Sequence, residues 1–185
     1  LSTVNNVRIE NVFSDVNFNQ SNKYNVGSAI NELLSNLTHR QPQTMQKRRT
    51  PPADVIVKIK HNHLNKKQHI IRQYLDYSSL IEEAYDDIDK SIPFGKDTIL
   101  RNLENSYFKA LDNFEIEYFI KEELDLEVLR EKSGAIIDFI ISDLKKTIYE
   151  SNNTPELQEH IDIGVNVVVA HAFIECVIME KPDDT

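Results

Sequence analysis

Between Ile70 and Ile88 the residues Ile70, Ile71, Tyr74, Leu75, Ser78, Ile81, Tyr85 and Ile88 recur every three or four positions. That spacing gathers side chains on one face of an α-helix and would scatter them over both faces of a strand. The stretch from Asn65 to Lys90 therefore reads as one long amphipathic helix, with Ser78-Ser79 as the place for a bend. The same period returns three more times. It appears as Val26, Ile30, Leu33, Leu34 and Leu37, then between Asp97 and Phe114 as Ile99, Leu100, Leu103, Tyr107, Phe108, Leu111 and Phe114. Between Glu127 and Glu150 it appears as Leu129, Ile136, Ile137, Ile140, Ile141, Leu144 and Ile148. The predicted fold is all-α, a bundle of about five or six helices.

Two β-branched stretches compete with that reading. Val55, Val57 and Ile59 alternate as a strand would, but Pro51-Pro52 after Thr50 is a helix start signal, with Thr50 as N-cap, and helix is favoured. In the last third, Thr154-Pro155-Glu156 opens a final helix that is apolar on nearly every side from Ile161 to Met179. A helix without a polar face belongs at the centre of a bundle, although Val165 to Val169 would also suit a strand. Before the first helix, Val7-Arg8-Ile9 and Val16-Asn17-Phe18 alternate between Asn and Asp residues. The organisation that follows is an extended arm or small hairpin at 1–22, a short helix and basic linker at 23–50, and the helical bundle at 51–182.

The net charge of −9 conceals a strong polarity. Arg40, Lys47, Arg48, Arg49, Lys58, Lys60, Lys66, Lys67 and Arg72 face only Asp54 between His39 and Arg72, whereas from Asp76 onward acids outnumber bases by more than two to one. A basic segment of this kind contacts either other protein surfaces, its own acidic remainder included, or phosphate. The protein-facing reading is preferred because an acidic chain repels nucleic acid at long range. The single Cys176 excludes an intramolecular disulfide, suits a reducing cytoplasm and reads as core filler. No stretch is long and apolar enough to span a bilayer. Opening on Leu1 and an Asn-rich run, the sequence reads as a piece of a larger polypeptide.

No pattern of catalytic spacing emerges, so the chain is expected not to be an enzyme and to need no cofactor or metal. His61-Asn62-His63 only spells the letters of a nuclease motif, and reads as solvated helix. Gly95-Lys96-Asp97 lacks the earlier glycine and the hydroxyl residue of a phosphate loop, and reads as a turn with a helix start. The acids Glu82, Glu83, Asp86, Asp87 and Asp89 lack calcium-loop spacing and form a solvated face or a docking surface for the basic segment. The most suggestive polar set is Glu156, His160, His171 and Glu175, placed on one stripe of the final helix. At 1.5 Å rise per residue the two histidines stand roughly 16 Å apart, too far to share an ion, so two separate His–carboxylate pairs are expected.

Two stretches carry a family resemblance. Pro51-Pro52, Lys58-Ile59-Lys60-His61-Asn62 and the tyrosine-bearing helix through Ala84-Tyr85 form one; Ala170-His171-Ala172-Phe173-Ile174-Glu175-Cys176 through Glu180-Lys181-Pro182 form the other. Together they resemble the helical C-terminal domains of effector proteins in bacterial ABC-three-component systems, a class linked to conflict with phages and plasmids. The resemblance implies a domain that tethers an effector to a middle component and an SMC-like ATPase, with catalysis carried by an upstream domain. The functional expectation is accordingly a protein-interaction or assembly module, able to form homo-oligomers, without membrane contact. Nucleic-acid binding through residues 40–72 is the rival.

Overall fold

A computed structural model describes residues 26–40, 50–119 and 124–182. The expected arm at 1–22 and Lys47, Arg48 and Arg49 of the linker lie outside the described residues. Among the described residues there are six α-helices and no strand: α1 Val26–Thr38, α2 Ala53–His61, α3 Gln68–Ser91, α4 Gly95–Asn113, α5 Leu126–Tyr149 and α6 Gln158–Ile174. A short 3-10 turn, Leu64–Lys67, joins α2 to α3. Both β-branched stretches are helical, and the all-α bundle expected from the stripes is what forms.

Helix α6 is the axis. From Gly164 to Phe173 every residue but Asn166 is buried, so this helix has no face to offer water and must be sheathed. Helices α1, α3 and α5 enclose it, and α4 touches it. The share taken by α1 departs from the domain division read from the sequence. Ile30, Leu33, Leu34 and Leu37 are wholly buried, and α1 packs on α3, α4, α5 and α6, so it belongs to the bundle rather than to a linker region. Two glycines allow backbones to close up. A Cβ on Gly164 would lie 2.4 Å from Cδ2 of Leu34 in α1, and one on Gly95 would lie 2.4 Å from Cγ2 of Ile88 in α3.

The helix ends differ from expectation for identifiable reasons. Thr50 does not cap α2; Pro52 occupies that position without a side-chain cap. Thr154 does not open α6, which starts at Gln158. Its hydroxyl instead donates to the carbonyls of Ile148 (2.9 Å) and Ser151 (3.0 Å), closing the end of α5. Helix α6 ends at Ile174, not near Met179, through a paired turn: Val177 N–H donates to Ala172 O (2.9 Å) and Cys176 N–H to Phe173 O (3.3 Å). Cys176 sits there at φ 60° and is exposed, so the expectation of a core filler fails. Helix α4 ends the same way, with Ile116 N–H on Leu111 O (2.9 Å), Glu115 N–H on Asp112 O (3.1 Å) and Glu115 at φ 58°. Both turns put a side chain where glycine ordinarily stands.

These packings predict two stability changes. Glu115 is exposed, and left-handed backbone costs a side-chain-bearing residue about 1–2 kcal/mol. Glycine loses part of that gain to greater freedom when unfolded, so Glu115→Gly should stabilise by about 0.5–1 kcal/mol in urea denaturation. An unchanged or lower midpoint would show that the Glu115 side chain compensates its own strain. Gly164→Ala should cost about 1–3 kcal/mol by overpacking. In a Leu34→Ala background, which removes the colliding Cδ2, most of that cost should vanish, and equal costs in both backgrounds would mean that α1 and α6 do not meet there.

Candidate functional site

Polar groups converge on the C-terminal half of α6 in two adjoining clusters. The first lies between α6, α3 and the start of α4. The imidazole of His171, wholly buried, hydrogen-bonds through Nε2 to Oε1 of Glu82 at 2.8 Å. A carboxylate only accepts, so the Nε2–H donates and Nδ1 is left as a buried acceptor without a partner among the described residues. The other oxygen of Glu82 accepts from Nζ of Lys96 at 2.7 Å, and that ammonium lies 5.3 Å from the ring centre of Tyr85. Tyr85 and Tyr74 flank His171, with ring centroids at 5.1 and 6.0 Å. Tyr85 is wholly buried and its hydroxyl has no hydrogen-bond partner among the described residues. Glu175, one turn beyond His171 at the C-cap of α6, completes the group: ligand atoms of Glu82, His171 and Glu175 all lie within 4.8 Å of one another.

The electrostatics follow from burial. Desolvation pushes the His171 imidazole below its usual 6.5 and outweighs the upward pull of Glu82 and Glu175, with Lys96 adding to the downward push. For Glu82, burial acts upward, but hydrogen bonds and charge from Lys96 and His171 prevail and hold the carboxyl below its usual range. The pair at neutral pH is thus a neutral imidazole donating to a carboxylate. Burial, reinforced by Glu82, Glu175 and Tyr74, drives the Tyr85 phenol far above 10.

The second cluster joins α2 to the segment after α6. Lys58, almost wholly buried, donates its ammonium to the carbonyl of Phe173 and lies 4.7 Å from the centre of that ring. Burial pushes its amine down, while a hydrogen bond to the Cys176 thiol and the charges of Glu180 and Glu175 pull it back. Asn62 is wholly buried and clamps Glu180 from both sides: Nδ2 donates to Glu180 O (2.8 Å) and Oδ1 accepts from Glu180 N–H (3.0 Å). Tyr107 of α4 donates its hydroxyl to Oε1 of Glu180 at 2.7 Å. The expectation that Asn62 is a solvated helix residue is therefore overturned. Its side chain replaces a backbone pairing partner for the chain segment that follows α6.

The residues singled out from sequence are divided by the structure. Glu156 is exposed and precedes α6, so it shares no helical stripe with His160, which is half-buried in the first turn. His171 finds its carboxylate on α3 as Glu82, with Glu175 close by. Of the basic set, Arg40 ion-pairs with Glu83 and Asp87 on α3, Lys67 pairs with Asp138 on α5, and Lys58 is internal. Lys60, Lys66 and Arg72 are exposed. The acidic face of α3 thus serves partly as the docking surface for Arg40. Sequence reasoning missed Glu82 and Lys96 as partners of His171; the only available signal was that His171 and Glu175 interrupt an apolar helix.

The phenols set an alkaline limit. The groups of Tyr85 and Tyr107 are raised in the folded chain and ionise near 10 when unfolded, so the unfolded state loses protons first and stability falls as pH rises above about 10. Lys58 opposes this: its amine is lowered on folding, so it returns stability as pH climbs toward 10.5. Two strongly shifted phenols outweigh one amine. Ionisation followed at 295 nm should show part of the seven tyrosines titrating only together with loss of helical ellipticity. Tyr85→Phe should move that transition upward. Complete, gradual titration near 10 with the helix signal intact would contradict the burial.

Compared with models of known families, with curated proteins and with solved structures, the chain matches none, so both clusters are read from their own chemistry.

Proposed function

We propose that this chain is a protein-interaction module that holds an effector to partner components of a bacterial defence-type assembly. The observation that carries the reading is Phe94. This ring is 76% exposed, and its backbone is held at φ 60° in the turn between α3 and α4. Left-handed backbone at a bulky aromatic is strained, and such strain gathers where a side chain must be presented. Phe94 borders an open cavity of about 490 Å³ lined also by Val26, Asp97, Thr98, Arg101 and Asn105. An aromatic anchor beside an arginine and a polar rim is the composition of a protein-binding hot spot. The resemblance to ABC-three-component effector domains supports the same reading and supplies the partner class, a middle component and an SMC-like ATPase. No helix among the described residues is long and apolar enough to cross a membrane.

The rival, phosphate binding by the basic segment, is left with Lys60, Lys66 and Arg72 as its exposed cations among the described residues, since Arg40 and Lys67 are engaged by acids of the chain itself. Co-expression with the products of neighbouring genes, followed by native mass spectrometry, separates the two. The chain should be captured with such a product, and Phe94→Glu should abolish capture while leaving helical content unchanged. Absence of any complex, or equal capture by the variant, overturns the proposal. Nucleic-acid binding that weakens steeply between low and physiological salt would favour the rival.

A further inference from the structure

We propose that Glu82, His171 and Glu175 form a binding site for one borderline divalent cation of the zinc type. Three separate features of the geometry point there. The donor set is right: one imidazole and two carboxylates suit zinc and its neighbours, whereas magnesium and calcium prefer oxygen alone. The placement is right as well. His171 and Glu175 stand four residues apart, one turn along α6, and Glu82 approaches from α3, so the three ligands come from two packed helices rather than from one flexible loop. The spacing also fits. Bonds of about 2.0–2.1 Å in a tetrahedral site separate neighbouring ligand atoms by about 3.3 Å, and the ligand atoms here lie within 4.8 Å of one another, with Nε2 and Oε1 already at 2.8 Å.

Burial gives the arrangement a direction. His171 is locked by α3 and by the rings of Tyr74 and Tyr85, while Glu82 and Glu175 are exposed, so an ion enters from solvent between the two carboxylates and meets an imidazole that cannot turn away. The cation replaces the Nε2 proton between His171 and Glu82, and that proton passes to Nδ1 or to solvent. Lys96 stays on the second oxygen of Glu82 and orients it, as an outer partner orients a ligating carboxylate. Three protein ligands leave a position for water. Tyr85 supplies an independent observation: its ring packs 5.1 Å from the His171 imidazole, and its hydroxyl, within the field of Glu82 and Glu175, is buried without a hydrogen-bond partner among the described residues, as a polar group beside an unfilled ligand position would be.

The test is calorimetric titration of the full chain with zinc chloride at pH 7.5, alongside thermal unfolding with and without the metal. The expected result is one tight zinc per chain, an unfolding midpoint that rises with zinc concentration, and no comparable effect of magnesium. Glu175→Gln alters an exposed residue, so the variant should melt like the parent without metal and bind zinc on the order of tenfold more weakly or worse. A variant with His61, His63 and His69 all changed to Gln should bind as the parent does. Zinc without heat or thermal shift at about 1 mM overturns the proposal. Unchanged affinity in Glu175→Gln, or loss of binding only in the triple histidine variant, overturns it equally by placing the ion elsewhere.

Discussion

A helix with no polar face dictates how the rest of the chain is arranged. Because α6 is buried from Gly164 to Phe173 apart from Asn166, it needs neighbours on all sides, and α1, α3 and α5 supply them. The same burial creates a second demand. The last carbonyls of a helix lack intrahelical donors and cannot be left in an apolar interior. At α6 these needs are met by Cys176 and Val177 N–H in the closing turn and by the ammonium of Lys58 on Phe173 O. Internal polar side chains are met in kind: His171 by Glu82, and Asn166 by Gln73 at 2.7 Å. The position of α2 follows from the same demand, since Lys58 and Asn62 both reach the end of α6 and the segment behind it.

Part of the charge polarity of the sequence is answered within the chain. Arg40 bridges two acids of α3, Lys67 reaches α5 and Lys145 reaches Asp162 of α6 at 2.7 Å. Exposed pairs of this kind contribute from nothing to about 1 kcal/mol each, so their value lies less in stability than in where they place the chain. Arg40 in particular ties the chain two residues beyond α1 to the acidic face of α3. Alongside these pairs the surface also carries large apolar side chains, Phe94 and Phe119 among them, and the protein-partner proposal rests on Phe94.

The helices were legible because a 3.6-residue period is local information. Four stripes could be read directly, and the buried residues of α5 are nearly those its stripe names, with Ile141 only partly buried. Helix ends were not legible, and the reason is chemical. With four glycines in the chain, the left-handed positions that end α2, α4 and α6 fall to His63, Glu115 and Cys176, none of which advertises a stop. Thr154 misled in the same way, because a hydroxyl near a proline signals a start while here it satisfies carbonyls behind it. The candidate site was half legible. His171 and Glu175 stood out as polar breaks in an apolar run, but Glu82 lies 89 residues earlier and only packing unites them. Asn62 was hidden for the opposite reason: its neighbours His61 and His63 drew attention to letters rather than to burial.

Strain and clustering coincide at one end of the molecule. Three of the non-glycine residues at positive φ, His63, Cys176 and Met179, lie around the clamp between α2 and the segment after α6. Left-handed residues persist only where surrounding bonds hold them, and the holders are visible: Asn62 on both backbone groups of Glu180, Arg130 Nε on His61 O (2.6 Å) and Ser133 on His63 O (3.3 Å). Glu175 is the residue at which this braced segment begins and also the nearest carboxylate to His171 along α6. Glu175 is also the C-cap of the central helix, next to Cys176 at φ 60°. Close by, Lys58 of α2 is hydrogen-bonded to Phe173 O. The Glu82–His171–Glu175 cluster and the contacts that place α2 thus meet on adjoining turns at the end of α6.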